Sequence, residues 1–262
     1  MEIHLRGLQR KTPEGPGNRL SCWDLIIDGQ LDGVSNMAID AALLDEIEGS
    51  ADPKTIVRFY QWKSPTISLG RNQKIDSAVD REYCASHDID IVHRPTGGRA
   101  VLHDDELTYA VVSNDASYFG DTIYVNYKRV SEALRDAFQR VGVSATLAPE
   151  TRKAPAPRNG ADPPCFLSPS RYELTVEGRK IVGSAQRRVK KSFLQHGSMP
   201  ITCDRETLAR ATRLNETASL YREMAGLAEF LSERPSVASL TNALVGSFQD
   251  RFAIEFRRRD SD

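Results

Sequence analysis

The runs TIVRFYQW (55–62) and TISLGRNQ (66–73) are rich in β-branched and aromatic residues, and only Lys-Ser-Pro separates them. So short a link, ending in proline, predicts two strands around a proline turn. Similar economy recurs along the chain. IDIVHRP reads as a short strand, TGGRAVLH as a glycine turn into another, and ELTYAVVS (106–113) alternates as a third. Further on, RYELTV, the turn EGRK, and the stretch IVGSAQRRVKKSFLQHGSMPI read as a strand, a tight turn and two more strands. With SCWDLIID (21–28) as a first strand, hairpin-like pairs outnumber βαβ units. The expected class is α+β, a mixed or largely antiparallel sheet flanked by helices.

Helical spacing is confined to a few segments. SNMAIDAALLDEIE follows the first strand, with Ser35 or Asn36 as its expected cap and Met37, Ile39, Leu43, Leu44 and Ile47 as core residues. DSAVDREYCASHD (76–88) reads as one helix capped by Asp76, with Cys84 as packing. The strongest periodicity is in YVNYKRVSEALRDAFQRVG (124–142), which stops at Gly142. From Asp204 onward, DRETLARATRL, ASLYREMAGLAEFL and SVASLTNALVGSFQDRF are helical. The expected organisation is a flexible leader over 1–20, a catalytic domain over 21–203, and a small helical C-terminal region over 204–262 packed on the same domain.

Charge and composition exclude several functions. The chain has 262 residues with 35 basic and 36 acidic side chains, a balance that argues against wholesale nucleic-acid or membrane binding. No run approaches the ~18 apolar residues of a spanning helix. The N-terminal stretch MEIHLRGLQRKTPEGPGNRL has no apolar signal core, so a cytoplasmic enzyme is expected. Cys22, Cys84, Cys165 and Cys203 are widely spaced, with no CxxC, and the five histidines are scattered. That pattern predicts free thiols, no metal site and no bound cofactor.

Two stretches carry possible chemistry. Cys165 sits in DPPCFLSPS (162–170), where prolines exclude both helix and central strand, so the thiol is expected on a loop. A thiol there is either a liability or a nucleophile. Fifteen positions on, Lys180 begins a strand after the Gly178 turn. It is either an exposed hairpin lysine or a cation that lowers a thiol pKa and moves a proton during acyl transfer. HRPTGGRAVLHDDELTY (93–109) holds the other candidates. Gly97 and Gly98 allow close backbone approach or positive φ, Arg94 and Arg99 flank them, and His103 follows. The spacing is not that of a Walker loop, and a hairpin turn is the plain alternative. His103 and His196 are either titrating groups or satisfied structural histidines.

Taken together, four segments resemble the biotin/lipoate attachment superfamily over roughly residues 20 to 200. SNMAIDAALL is similar to its N-terminal helix and PTISLGRNQ to its substrate-pocket strand. RPTGGRAVLHDDELTYAVV resembles its RxxGGxxVxH motif, and GRKIVGSAQRR with LQHGS its lysine hairpin. Ligases of the superfamily usually carry GGG and HD…GN; here the motif reads GGRAVLHDDELTY, lacking the third glycine and the GN. With Cys165 ahead of the lysine hairpin, the pattern is closer to octanoyl-acyl carrier protein:protein N-octanoyltransferases built on a ligase-like scaffold.

The resemblance implies octanoyl transfer without ATP. Cys165 would take octanoyl from octanoyl-acyl carrier protein, and a lysine of a lipoyl domain, on glycine-cleavage H protein or a 2-oxoacid dehydrogenase subunit, would receive it. Lys180 would activate the thiol and accept a proton. Arg94, Gly97, Gly98 and His103 would shape the acyl and carbonyl pocket. Arg187, Arg188, Lys190 and Lys191 form a basic run suited to acidic protein substrates, or a solvated strand face. The alternatives are an amidotransferase drawing octanoyl from H protein, an ATP-dependent lipoate ligase, and a non-catalytic binding module.

Overall fold

A computed structural model describes residues 20–148, 172–214 and 217–261. Its frame is a six-stranded sheet in the order β10-β11-β6-β2-β1-β12. The strands are β1 (Ser21–Leu31), β2 (Thr55–Trp62), β6 (Glu106–Ser113), β10 (Gly183–Val189), β11 (Ser192–Pro200) and β12 (Ile254–Arg258). β1 runs parallel to both β2 and β12, and the other neighbours are antiparallel. The sheet is therefore mixed, as expected for this α+β class.

Strand alternation divides the sheet into two buried faces. Val57 and Phe59 of β2 and Tyr109 and Val111 of β6 pack beneath α4 (Ile123–Arg140) and α7 (Val237–Phe252), against Val130, Leu134, Phe138, Leu244 and Phe248. Ile56 and Tyr60 of β2, with Ala110 and Val112 of β6, face the other way, onto Met37, Leu43, Leu44 and Ile47 of α1 (Gly33–Gly49). Each such aliphatic side chain, withdrawn fully from water, contributes about 1.5–3 kcal/mol. Both faces are filled, which is why β2 reads as a nearly continuous apolar run.

The Lys-Ser-Pro link does not join paired strands. After it, the chain leaves the large sheet, and β3 (Thr66–Leu69) is the centre of a second sheet between β4 (Asp90–His93), parallel to it, and β5 (Val101–His103), antiparallel. A third small sheet holds β7 (Thr146–Leu147), β8 (Leu174–Val176) and β9 (Arg179–Lys180).

Local chemistry accounts for three departures from expectation. α1 is capped by Asp32, whose carboxylate accepts from the Ser35 amide at 2.9 Å. Asn36 is buried instead, its amide donating to the carbonyls of Leu31 and Gln61. The 76–88 segment splits into α2 (Ile75–Ala78) and α3 (Arg81–Ser86), because Val79 is extended and buried and Asp80 caps the second helix. Cys84 packs in the core as expected. The helical tail, α5 (Arg205–Ala211), α6 (Ala218–Glu223) and α7, ends in β12, which the charged surroundings of AIEFRRR conceal in the sequence. No described helix is long and apolar enough to cross a membrane.

Candidate active site

The second sheet meets the α1 face of the large sheet at a narrow cleft. Met37, Tyr60, Trp62, Val101 and Gly183 supply much of its wall, with Ser68, Arg94, His103, Ser184 and His196 among its polar groups. Apolar walls with a few convergent polar atoms are the usual lining of a small-molecule site.

At its edge lies the turn Thr96–Arg99. Gly98 is in the left-handed region at φ 96°, which favours glycine. Gly70, at the end of β3, is required for another reason: a Cβ there would sit 2.1 Å from the Gly98 carbonyl oxygen. Arg94 is buried and does not present an idle cation to the cleft. Its Nε and Nη2 donate to the Gly97 carbonyl at 3.1 and 2.9 Å, and Nη2 also to the Arg99 carbonyl at 2.7 Å. Nη1 donates to the Ser68 carbonyl and hydroxyl at 2.8 and 3.1 Å. A planar fork with five donors is what such a clamp requires. The turn is pinned further by the Arg71 amide, which donates to the Thr96 carbonyl at 2.9 Å. The amides of Gly97 and Gly98 donate to no described residue.

His103 is buried against the ring of Trp62, stacked at 4.0 Å. Its Nδ1 lies 2.9 Å from Glu106, and its Nε2 lies 2.7 Å from the Ser68 hydroxyl. Glu106 also accepts from the hydroxyls of Thr108 and Ser198. The Ser68 hydroxyl, which accepts from Arg94, thus links that clamp to His103 Nε2, while Glu106 holds Nδ1.

A second histidine lies on the α1 face. Arg58 of β2 and His196 of β11 flank Ala110 of β6 in register, and the small alanine leaves room for Asp40 of α1. Asp40 accepts from Arg58 Nη1 at 2.8 Å, the Tyr60 hydroxyl at 2.9 Å and His196 Nδ1 at 2.7 Å. Burial alone would push its carboxyl up, but His196 and Arg58 together hold it below the usual carboxylate range. Burial holds His196 below its ordinary value against the pull of Asp40, so the imidazole is neutral. Arg58 already supplies the positive charge that this carboxylate needs.

Lys180 is buried on β9 and ion-paired to buried Glu173 at 2.5 Å, so it is not an exposed hairpin lysine. It is not one of the residues lining the cleft, although Gly183, just beyond it in the chain, is. Cys165 lies outside the described residues. Among the other thiols, burial pushes Cys203 up to about 12 and raises Cys84, so neither is a ready thiolate. Of the basic run, Arg187 donates to the Pro95 carbonyl at 3.4 Å, Arg188 to the Gly120 carbonyl at 3.0 Å, and Lys190 pairs with Glu48.

Arg94 and His103 thus meet at the cleft, with Gly97 and Gly98 at its edge. Asp40, Arg58, Tyr60, Ser68, Thr96 and Glu106 join them without having been singled out in the sequence. The one available signal was position: Asp40 and Arg58 are charges inside otherwise apolar runs, NMAIDAALL and TIVRFYQW.

Comparison with known proteins gives a consistent answer. The family model for the lipoyl protein ligase A/B catalytic domain matches residues 32–249. The octanoyltransferase LipM of Carboxydothermus hydrogenoformans is 36% identical over 250 residues, covering 92% of this chain and 90% of that protein. The octanoyltransferase LipM of Geobacillus kaustophilus is 44% identical over 190 residues, covering 71% and 68%. Among solved structures, a T. acidophilum protein with bound lipoic acid superposes with a TM-score of 0.74 at 24% identity, covering 92% of this chain and 89% of that one. A lipoate-protein ligase A bound with ATP gives 0.72 at 23% identity, covering 91% and 88%. The last two establish a shared fold.

Proposed function

The chain belongs to the lipoyl protein ligase A/B catalytic-domain family, and from that membership we propose an octanoyltransferase of lipoate biosynthesis that works through a cysteine thioester. The observation that carries this reading is the match to octanoyltransferases over nine-tenths of the chain, together with a turn that reads GGR and not GGG.

The donor is octanoyl-acyl carrier protein and the acceptor a lysine of a lipoyl domain. The Cys165 thiolate attacks the thioester carbonyl, and the carrier's thiolate leaves, so one thioester replaces another at little net cost. The acceptor's ε-amine then attacks the acyl-enzyme, the Cys165 thiolate leaves, and an amide forms downhill. The proton released by the amine ends on the departing Cys165 sulfur, and the Lys180 ammonium, paired with Glu173, supplies the positive charge that favours the thiolate. Each methylene of the octanoyl chain that is buried contributes about 0.8 kcal/mol, so the chain supplies several kcal/mol of binding. The clamped glycine turn offers the Gly97 and Gly98 amides to a developing oxyanion. Burial raises the thiol pKa at Cys84 and Cys203, which makes both poor nucleophiles at neutral pH.

The test is transfer to an apo lipoyl domain from three donors: octanoyl-acyl carrier protein alone, octanoylated H protein alone, and free octanoate with ATP and magnesium. Efficient transfer from the carrier protein supports the proposal. Transfer only from octanoylated H protein makes the enzyme an amidotransferase, and transfer only with ATP makes it a ligase.

A further inference from the structure

Two buried histidine–carboxylate pairs flank the Thr96–Arg99 turn, and thiol and lysine chemistry requires neither. One reaches the turn through Ser68 and Arg94. The other reaches it directly, because the Thr96 hydroxyl lies 2.7 Å from His196 Nε2. Resting on the octanoyl-transfer reading above, we propose that Asp40, His196 and Thr96 form a positioning relay that sets the glycine turn for the acyl carbonyl.

The polarity of the relay is fixed at its buried end. Asp40 is fully enclosed and, as a carboxylate, only accepts. His196 therefore donates through Nδ1, its neutral Nε2 accepts, and the Thr96 hydroxyl donates to it. Arg58 anchors Asp40, and is itself held by Asp28 at 2.6 Å and by the Asn36 carbonyl and side-chain oxygens at 3.1 and 2.9 Å. The rigid end of this chain of contacts spans α1, β2 and β11; the other end is one residue from Gly97. Apolar residues could fill the same volume without desolvating an ion pair, which makes a purely stabilising role a poor account of these groups. What the network supplies is direction. It holds Thr96 at one end of the turn while Arg94 holds the carbonyls of Gly97 and Arg99, so the two glycine amides keep one orientation.

The discriminating variants are Thr96→Val, which keeps the shape and removes the hydroxyl, and Thr96→Ser, which restores it. In single-turnover acylation of the full-length protein by octanoyl-acyl carrier protein, Thr96→Val should lower the rate constant about tenfold, or about 1.4 kcal/mol, with the half-saturating donor concentration unchanged. Thr96→Ser should return it to within about twofold of wild type. Independently of any substrate, exchange of the Arg71 amide, which reports on the Thr96 carbonyl, should quicken in Thr96→Val and recover in Thr96→Ser. Wild-type rate or exchange in Thr96→Val overturns the relay while the transfer reading stands. If wild type itself is never acylated, the transfer reading falls, and the exchange measurement still decides the relay.

Discussion

Thr96 and His196 are a hundred positions apart in the chain, and their side chains are joined by a hydrogen bond of 2.7 Å. The bond ties the turn of the second sheet to a central strand of the first. Beyond it, Asp40 receives His196 and Arg58 at once, so the edge of the cleft is referenced to two fully buried charges.

The first consequence is a pH dependence with a definite sign. Burial keeps the His196 pKa below its ordinary value, with Asp40 opposing and Arg94 and His103 adding to the depression. In the unfolded chain His196 titrates near 6.5. Its contribution is complete above that pH and is lost as pH falls toward the folded value, because the unfolded chain then binds the extra proton. Urea titrations should show wild type losing stability between about pH 7 and 5 more steeply than His196→Gln. Equal slopes would show that the imidazole is not held neutral.

Arg94 acts by shape more than by charge. Arg94→Lys keeps the cation but cannot hold the Gly97 and Arg99 carbonyls and Ser68 together. Transfer should fall about tenfold or more, the worth of one or two well-made hydrogen bonds. Steady-state assays that find Arg94→Lys fully active would mean that charge alone suffices.

At Gly70 the constraint is space. An added methyl would meet the backbone carbonyl of Gly98 at 2.1 Å, whereas a Cβ at Gly49 meets nothing within 4 Å. Gly70→Ala should cost roughly 1–3 kcal/mol in denaturant unfolding and impair transfer. Gly49→Ala should be neutral or slightly stabilising, as alanine is the better helix former. Equal stability of the two variants would contradict this packing.

Lys180 and Glu173 are both buried and ion-paired, so removing the carboxylate takes a charged partner from an ammonium held out of water. Glu173→Ala should destabilise the fold by about 3–5 kcal/mol. In a double-mutant cycle with Lys180→Met, the double variant should recover part of the loss. Strictly additive losses would show that the pair does not couple.

Elements that depend on local pattern were legible in the sequence. The alternation of β6, the periodicity of α4 and the left-handed Gly98 follow from residue type and spacing, and so did the gathering of Arg94, Gly97, Gly98 and His103 near one turn. What depends on distant neighbours was not. Asp32 displaced Ser35 and Asn36 as the cap of α1 because Asn36 is needed, buried, by Arg58. β3 left the large sheet although its link to β2 suggested a local pair. The burial of Asp40 depends on Ala110, Arg58 and His196 on three strands, and nothing within NMAIDAALL announces them.

The central claim concerns Cys165, and intact-protein mass spectrometry addresses it most directly. Wild type and Cys165→Ser are each mixed with octanoyl-acyl carrier protein without ATP, then with an apo lipoyl domain. The account predicts a hydroxylamine-labile octanoyl adduct on wild type that the lipoyl domain removes, and none of this kind on Cys165→Ser. An unmodified wild type, with Cys165→Ser still octanoylating the domain from free acid and ATP, would contradict it.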